Sequence, residues 1–171
     1  WLFGLTALSA LLGAIAHGFE LTEKMREAIW VPLYLSLGIV VGLIIVAAVY
    51  DWRGQNAAAR LVIWTLMLGA GFFAVTQFVS GAFVVFLVYE AVALLCALGI
   101  YFFLAAKRRL PGAGVIALAI ALSMMAAAVQ ASDARVVWIV PFDHNGIFHL
   151  VQIGAVAMLA AGLRQGLRPA R

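Results

Sequence analysis

Long apolar runs separated by short polar breaks dominate this sequence and limit what it can fold into. Of its 171 residues, 67% are hydrophobic and only 11% are charged, and the mean hydropathy is +1.13. Soluble domains contain far more charge. A run of about 18 or more apolar residues is long enough to cross about 30 Å of hydrocarbon as a helix. The sequence therefore predicts an all-α, integral membrane protein.

The breaks between the apolar runs predict six transmembrane helices in one bundle. The spans cover residues 1–19, 29–50, 60–80, 82–105, 113–131 and 143–164, and the connections cover 20–28, 51–59, 80–81, 107–112 and 132–142. Short connections favour antiparallel neighbours, so we expect one transmembrane domain over 1–171. The sequence begins with Trp1 instead of Met, which leaves open a seventh helix upstream.

The basic residues predict an orientation, because loops rich in Lys and Arg stay in the cytoplasm. One set of loops and ends holds eight basic residues and the other set holds three. The larger set is Arg53, Arg60, Lys107, Arg108, Arg109, Arg164, Arg168 and Arg171; the smaller is Lys24, Arg26 and Arg135. We therefore expect both ends of the chain in the cytoplasm, and the protein in the inner (plasma) membrane of a bacterium.

Polar residues collect at the opposite, outer side of this predicted bundle. A helix through the segment 141–152 puts Asn145, His149 and Gln152 on one face, at i, i+4 and i+7. Asp143 and His144 stand at its start, and Asp143 is also well placed to cap the helix. Such side chains are costly in lipid, so the face needs partners.

Three ionisable residues from other spans lie on the same outer side. Glu90 would cost about 2.5 kcal/mol or more if it faced lipid near the bilayer centre. It is either a metal ligand, base or proton carrier, or a protonated carboxyl that hydrogen-bonds between helices. His17 ends the first span, and Glu20, three residues later, either shares its helical face or belongs to a solvated stretch with Glu23 and Glu27.

Glycines in the second and third spans predict close packing of helices. Gly38 and Gly42 form a GxxxG pair, and Gly69 and Gly71 follow in the next span. Small residues at such spacing let two helix backbones approach each other. The contact is expected either within the chain or between protomers.

The segment DHNGIFHLVQ, residues 143–152, resembles the final-helix signature of the CREST superfamily of membrane hydrolases, which includes alkaline ceramidases and the progestin and adipoQ receptors. That signature is an HxxxH pair; His149 matches its second histidine, and Asn145 stands where the first would be. The family holds zinc and hydrolyses lipid amides or esters. The resemblance implies a metal site and catalytic residues acting on a membrane lipid: His17, His144, His149 and Glu20 for zinc, and Glu90, Asp143, Asn145 and Gln152 for catalysis.

Three other functions stay open. The chain could be a non-catalytic subunit of a larger membrane complex or homo-oligomer, with its polar cluster as a structural hydrogen-bond network. His17 and His149 could instead be axial ligands of a b-type haem. Proton transport through Glu90 is less favoured, because the inner half offers no matching polar path. The sequence contains no Walker loop, GxSxG or HExxH motif, and no nucleic-acid partner is expected.

Overall fold

This computed structural model describes residues 1–79, 82–137 and 141–167, and nearly all of them are helical. The helices are α1 (Leu2–Gly18), α2 (Glu23–Arg53), α3 (Gln55–Thr76), α4 (Ala82–Ala106), α5 (Ala113–Gln130) and α6 (His144–Gly166). Two short strands, β1 (Val136–Val137) and β2 (Pro141–Phe142), pair in antiparallel fashion between α5 and α6. The prediction of an all-α architecture with six helices is confirmed for the described residues.

Five of the described helices, α2 to α6, are long and apolar enough to cross a membrane. The remaining helix, α1, is apolar but has 17 residues. At 1.5 Å per residue it is about 26 Å long, slightly less than the roughly 30 Å of a hydrocarbon core. Crossing of the membrane by α1 therefore stays a prediction.

Helix α2 is longer than the span predicted for it. It has 31 residues and begins at Glu23, where the Thr22 hydroxyl accepts a hydrogen bond from the Met25 amide at 3.4 Å. Its length is about 46 Å, so charged turns precede the apolar part. The connection predicted over 20–28 is therefore mostly helix, because the backbone hydrogen bonds of a helix can continue beyond the end of an apolar run.

A single residue, Gly54, connects α2 to α3, so the predicted loop over 51–59 is wrong. Its dihedrals are φ +82° and ψ −179°, a region that only glycine adopts at low cost. The Gly54 amide donates to the Tyr50 carbonyl at 2.8 Å, and its own carbonyl accepts from the Ala58 amide at 3.2 Å. One chain reversal thus replaces the expected nine-residue connection.

The chain divides into two compact units, residues 1–93 and 94–171, and α4 contributes to both. In the first unit α2 packs against α1 and α3, and the beginning of α4 completes a core formed by Val41, Phe72, Phe86 and Ala93. In the second unit α5 packs along α6, with small buried residues at the contact. The single domain expected from the sequence stays a prediction.

The predicted glycine contact lies between α2 and α3 of the same chain. A Cβ atom at Gly38 would lie 2.9 Å from Phe72 Cδ1 and 3.0 Å from the Gly69 carbonyl oxygen, and one at Gly42 would lie 3.1 Å from a Thr65 carbon. These backbones could not approach so closely with side chains between them. Gly71 has no neighbour within the chain, so it takes no part in this contact, and a contact of Gly71 between protomers stays a prediction.

Candidate functional site

The end of α5 and the beginning of α6 carry a group of polar side chains in the second unit. We call Gln130, His144, Asn145, His149 and Gln152 the α5–α6 polar end. The Gln130 side-chain amide donates to Asn145 Oδ1 at 3.4 Å, and Asn145 Nδ2 lies 3.3 Å from His144 Nε2. The first hydrogen bond therefore ties the last residue of α5 to the first turn of α6, and the second links two neighbouring side chains within that turn.

Asp143 caps α6, as the sequence predicts. Its Oδ1 accepts a hydrogen bond from the Gly146 amide at 2.8 Å. This bond, together with nearby His144 and Asn145, holds the pKa of the Asp143 carboxyl below its usual range. A carboxylate with a lowered pKa that already accepts a backbone amide is a weak general base, and the catalytic role of Asp143 stays a prediction.

His149 lies about one turn and Gln152 about two turns deeper along α6 than Asn145, on the face that the sequence predicts. The His149 ring packs edge-on against Phe148, with the ring centroids 5.0 Å apart. Gln152 Oε1 is buried and has no hydrogen-bond partner among the described residues. Buried polar atoms are nearly always paired, and leaving one unpaired costs about 1–3 kcal/mol. This oxygen is therefore an acceptor that needs a donor.

In the first unit, His17 and Glu20 do not share a helical face. Helix α1 ends at Gly18, and Phe19 is extended, with φ −124° and ψ 148°. Glu20 thus lies beyond the helix, and both His17 and Glu20 are exposed. The expectation that the two side chains stand one turn apart is wrong, because the helix stops before the second residue.

Glu90 lies on α4 in the first unit and is partly buried. The residues that the structure describes give its carboxyl no hydrogen bond or ion pair. Its neighbour Tyr89 donates from its hydroxyl to the Gly38 carbonyl at 3.2 Å and stacks on Phe72 at 5.0 Å. Tyr89 thus joins α4 to α2 and α3, while the role of Glu90 stays a prediction.

A chain of aromatic rings across the first unit was not predicted. The His17 ring packs edge-on against Trp30 at 5.6 Å, and Trp30 stacks on Tyr34 at 5.0 Å. Tyr34 in turn contacts Phe72 edge-on at 6.2 Å, and Phe72 stacks on Tyr89. The i, i+4 spacing of Trp30 and Tyr34 on α2 was the available signal in the sequence.

The predicted metal ligands fall in both units, with His17 and Glu20 in the first and His144 and His149 in the second. Within residues 1–79, 82–137 and 141–167, no three His, Cys, Asp or Glu side chains come together. One ring nitrogen of His144 is also engaged by Asn145. The described residues of neither unit supply the three or four ligands that zinc takes, so zinc stays a prediction from the resemblance.

Comparisons with known proteins identify a family for this chain. The model of a family of unknown function, DUF6962, matches residues 1–168. No curated protein and no solved structure matches the chain. The match covers nearly all of the sequence. Because the function of this family is unknown, the function of the chain has to be argued from its own residues.

Proposed function

Since this chain belongs to the family of unknown function DUF6962, we propose a role from its own geometry. The chain is an integral membrane protein that binds a lipid-like molecule at the α5–α6 polar end. The head group of this molecule donates a hydrogen bond to the protein. The observation that carries this proposal is the buried Oε1 of Gln152, which has no hydrogen-bond partner in the part of the chain that the structure describes. A hydroxyl, an amide N–H or an ammonium group would pair with it.

The depth and surroundings of Gln152 favour a ligand that comes from the bilayer. Gln152 lies eight residues after the start of α6 at His144, which is about 12 Å along the helix axis. Leu150 and Ile153 lie on other faces of the same turns of α6 and are apolar and exposed, so the helix surface at this depth suits an apolar tail. His149 and Asn145, on the same face, supply further polar atoms for a head group.

We further propose that the polar end faces away from the cytoplasm. Asp133 lies in the connection between α5 and α6, and Arg108 in the connection between α4 and α5, so the two should lie on opposite sides. In a background with Cys96→Ser, Asp133→Cys should react with a membrane-impermeant thiol reagent on intact cells. Arg108→Cys should react only after permeabilisation. The reverse pattern would contradict the cytoplasmic ends and the inner-membrane orientation.

Substitution of Gln152 by Leu tests the binding proposal. Removing an unsatisfied buried polar group should raise the stability of the delipidated protein by about 1–3 kcal/mol. The same substitution should abolish any further stabilisation by lipids that purify with the wild type. Thermal unfolding before and after delipidation, with mass spectrometry of the extracted lipids, measures both effects.

Gln130→Leu is the matched control, because the Gln130 amide already has a partner in Asn145. This variant should lose stability with and without lipid, because it leaves Asn145 without that donor. If Gln152→Leu destabilises the delipidated protein as Gln130→Leu does, Gln152 makes a structural bond and the binding proposal is wrong.

A second candidate function, lipid ester or amide hydrolysis, uses the same face. It is supported by the position of His149 one turn before Gln152 and by the CREST-like segment 143–152. His149 would take a proton from water while the Gln152 carbonyl orients it. His149→Ala should then abolish turnover of a lipid ester but retain the lipid, and stoichiometric zinc in purified protein would support the predicted metal. Retained turnover would exclude His149 as the base.

The non-catalytic alternative is supported by the Gln130–Asn145 bond, which joins two helices as structural polar pairs do in membranes. It predicts that the protein forms a stable complex with other subunits or with a second copy and turns over no substrate. Gln130→Leu should then impair assembly of the complex. The haem alternative predicts a visible absorption spectrum in the purified protein. An expressed protein without such a spectrum, in cells supplied with haem, would exclude it.

A further inference from the structure

The end of the second unit opposite the α5–α6 polar end is formed by the α4–α5 connection and the last turns of α6. A Cβ atom at Gly112 would overlap the Gly162 carbonyl oxygen, and one at Gly166 would lie 3.3 Å from the Pro111 carbonyl oxygen. The backbones therefore touch. This contact holds Arg164, on α6, beside the connection that begins at Lys107.

Four cations share this end of the second unit, which we call the basic end: Lys107, Arg108, Arg109 and Arg164. All four are exposed, and no ion pair is described for any of them within the second unit. The acidic residues described in this unit, Asp133 and Asp143, follow the far end of α5. The length of α5, about 27 Å, separates them from the cations, which is well beyond the Debye length of about 8 Å.

The backbone fixes where these cations stand. Arg108 has a positive φ of 51°, and its amide donates to the Ala105 carbonyl at 3.0 Å, while the Arg109 amide donates to the Leu104 carbonyl at 2.9 Å. The Arg109 guanidinium lies 5.5 Å from the centre of the Phe103 ring. The charges therefore stand on a turn that two backbone hydrogen bonds hold in place, and not on a flexible tail.

We propose that the basic end binds the phosphate-bearing head groups of anionic membrane lipids. The cations directly follow apolar helices, and Phe102 beside them is exposed and apolar, so the expected partner has an anionic head and an apolar body. Basic clusters next to membrane-spanning helices attract anionic lipids in this way. The site is separate from the α5–α6 polar end and does not depend on the function proposed for it.

The test compares two triple variants that lose the same charge. The first, Lys107→Gln with Arg109→Gln and Arg164→Gln, leaves Arg108 and its positive φ unchanged. The second, Lys24→Gln with Arg26→Gln and Arg135→Gln, removes three cations elsewhere. Retention of phosphatidylglycerol and of phosphatidylcholine by each protein in detergent is measured by native mass spectrometry, with thermal unfolding as a second readout.

Each cation near an anionic surface contributes about a fivefold change in affinity, so the first variant should bind phosphatidylglycerol about 100-fold more weakly than the wild type. The second variant should bind it within about twofold of the wild type, and phosphatidylcholine should bind equally weakly to all three. Equal losses in both variants would overturn the proposal. The proposal would also be overturned if inorganic phosphate, at the concentration at which phosphatidylglycerol stabilises the protein, stabilised it equally.

A variant that fails to fold does not end the test. Arg164→Gln alone keeps the α4–α5 connection intact and should weaken phosphatidylglycerol binding about fivefold. Unchanged binding in this single variant, with unfolding at the wild-type temperature in phosphatidylcholine, would count against the proposal.

Discussion

The hydroxyl oxygens of Ser9 and Ser36 lie 2.8 Å apart and join α1 to α2 inside the first unit. Each hydroxyl also lies within hydrogen-bond distance of a carbonyl in its own helix, that of Leu5 for Ser9 and that of Leu33 for Ser36. Two hydroxyl protons serve three contacts, so one contact at a time lacks a proton. The bond between the helices therefore competes with one bond inside a helix.

A double-mutant cycle at Ser9 and Ser36 should detect this bond. Interhelical polar pairs in membranes are worth about 0.6 kcal/mol on average, and the competing carbonyl contacts should keep the coupling near that value. The two Ser→Ala variants and the double variant are compared by reversible unfolding in mixed micelles. Strictly additive losses would mean that the two hydroxyls do not interact.

Stability should depend on pH through Asp143. Its folded-state pKa is lowered, chiefly by the Gly146 amide, so its contribution is present above the unfolded pKa of about 3.9 and is lost as pH falls through the folded value. Asp143→Asn keeps an acceptor for the cap and should remove this dependence below about pH 4. Thermal unfolding from about pH 7 to about pH 3 measures it.

Asp133→Asn is the charge-matched control for this experiment. Asp133 is exposed and lies in the same connection between α5 and α6, but no backbone amide is described as donating to its carboxyl. This variant should keep the acid dependence of the wild type. An identical loss of acid dependence in both variants would show that net charge, and not the cap, is responsible.

Gly54→Ala should destabilise the α2–α3 hairpin. A Cβ atom there would meet no neighbour, so the cost comes from the backbone conformation alone and is about 1–3 kcal/mol. Gly71→Ala is the control, because it also meets no neighbour but stands inside a helix, where Ala is favoured by about 1 kcal/mol. The two unfolding temperatures should therefore move in opposite directions.

Gly38→Ala should destabilise the first unit by forcing α2 away from α3. The new methyl would meet Phe72 at 2.9 Å and the Gly69 backbone at 3.0 Å, and overpacking of this kind costs about 1–3 kcal/mol. Gly99→Ala, on α4, meets no neighbour and should be neutral or stabilising. A Gly38→Ala protein as stable as the wild type would contradict the close α2–α3 contact.

Hydropathy was sufficient to predict the helices, and its errors have a physical cause. The six spans match α1 to α6, because an apolar run in a membrane has no other way to satisfy its backbone. The predicted connections failed at 20–28 and 51–59, since helices continue through charged residues wherever their own hydrogen bonds allow. The turn predicted at 80–81 and two of the basic residues used for the orientation, Arg168 and Arg171, lie outside the described residues.

The candidate site was predictable only where it depends on spacing within one helix. The cap at Asp143 and the shared face of Asn145, His149 and Gln152 follow from position in α6. The Gln130 partner and the aromatic chain from His17 depend on which helices touch, and no spacing in a single sequence reports that. The position of Glu20 relative to His17 was predicted wrongly for a related reason. The extended residue after α1, Phe19, turns the chain out of the helix before Glu20.

The one-residue connection at Gly54 also constrains how this protein is made. A residue spans at most about 3.6 Å, so the end of α2 and the beginning of α3 must stay on the same side of any layer that both helices cross. The directions of the two helices are therefore coupled. We expect any change that reverses α2 to reverse α3 with it, and never one of them alone.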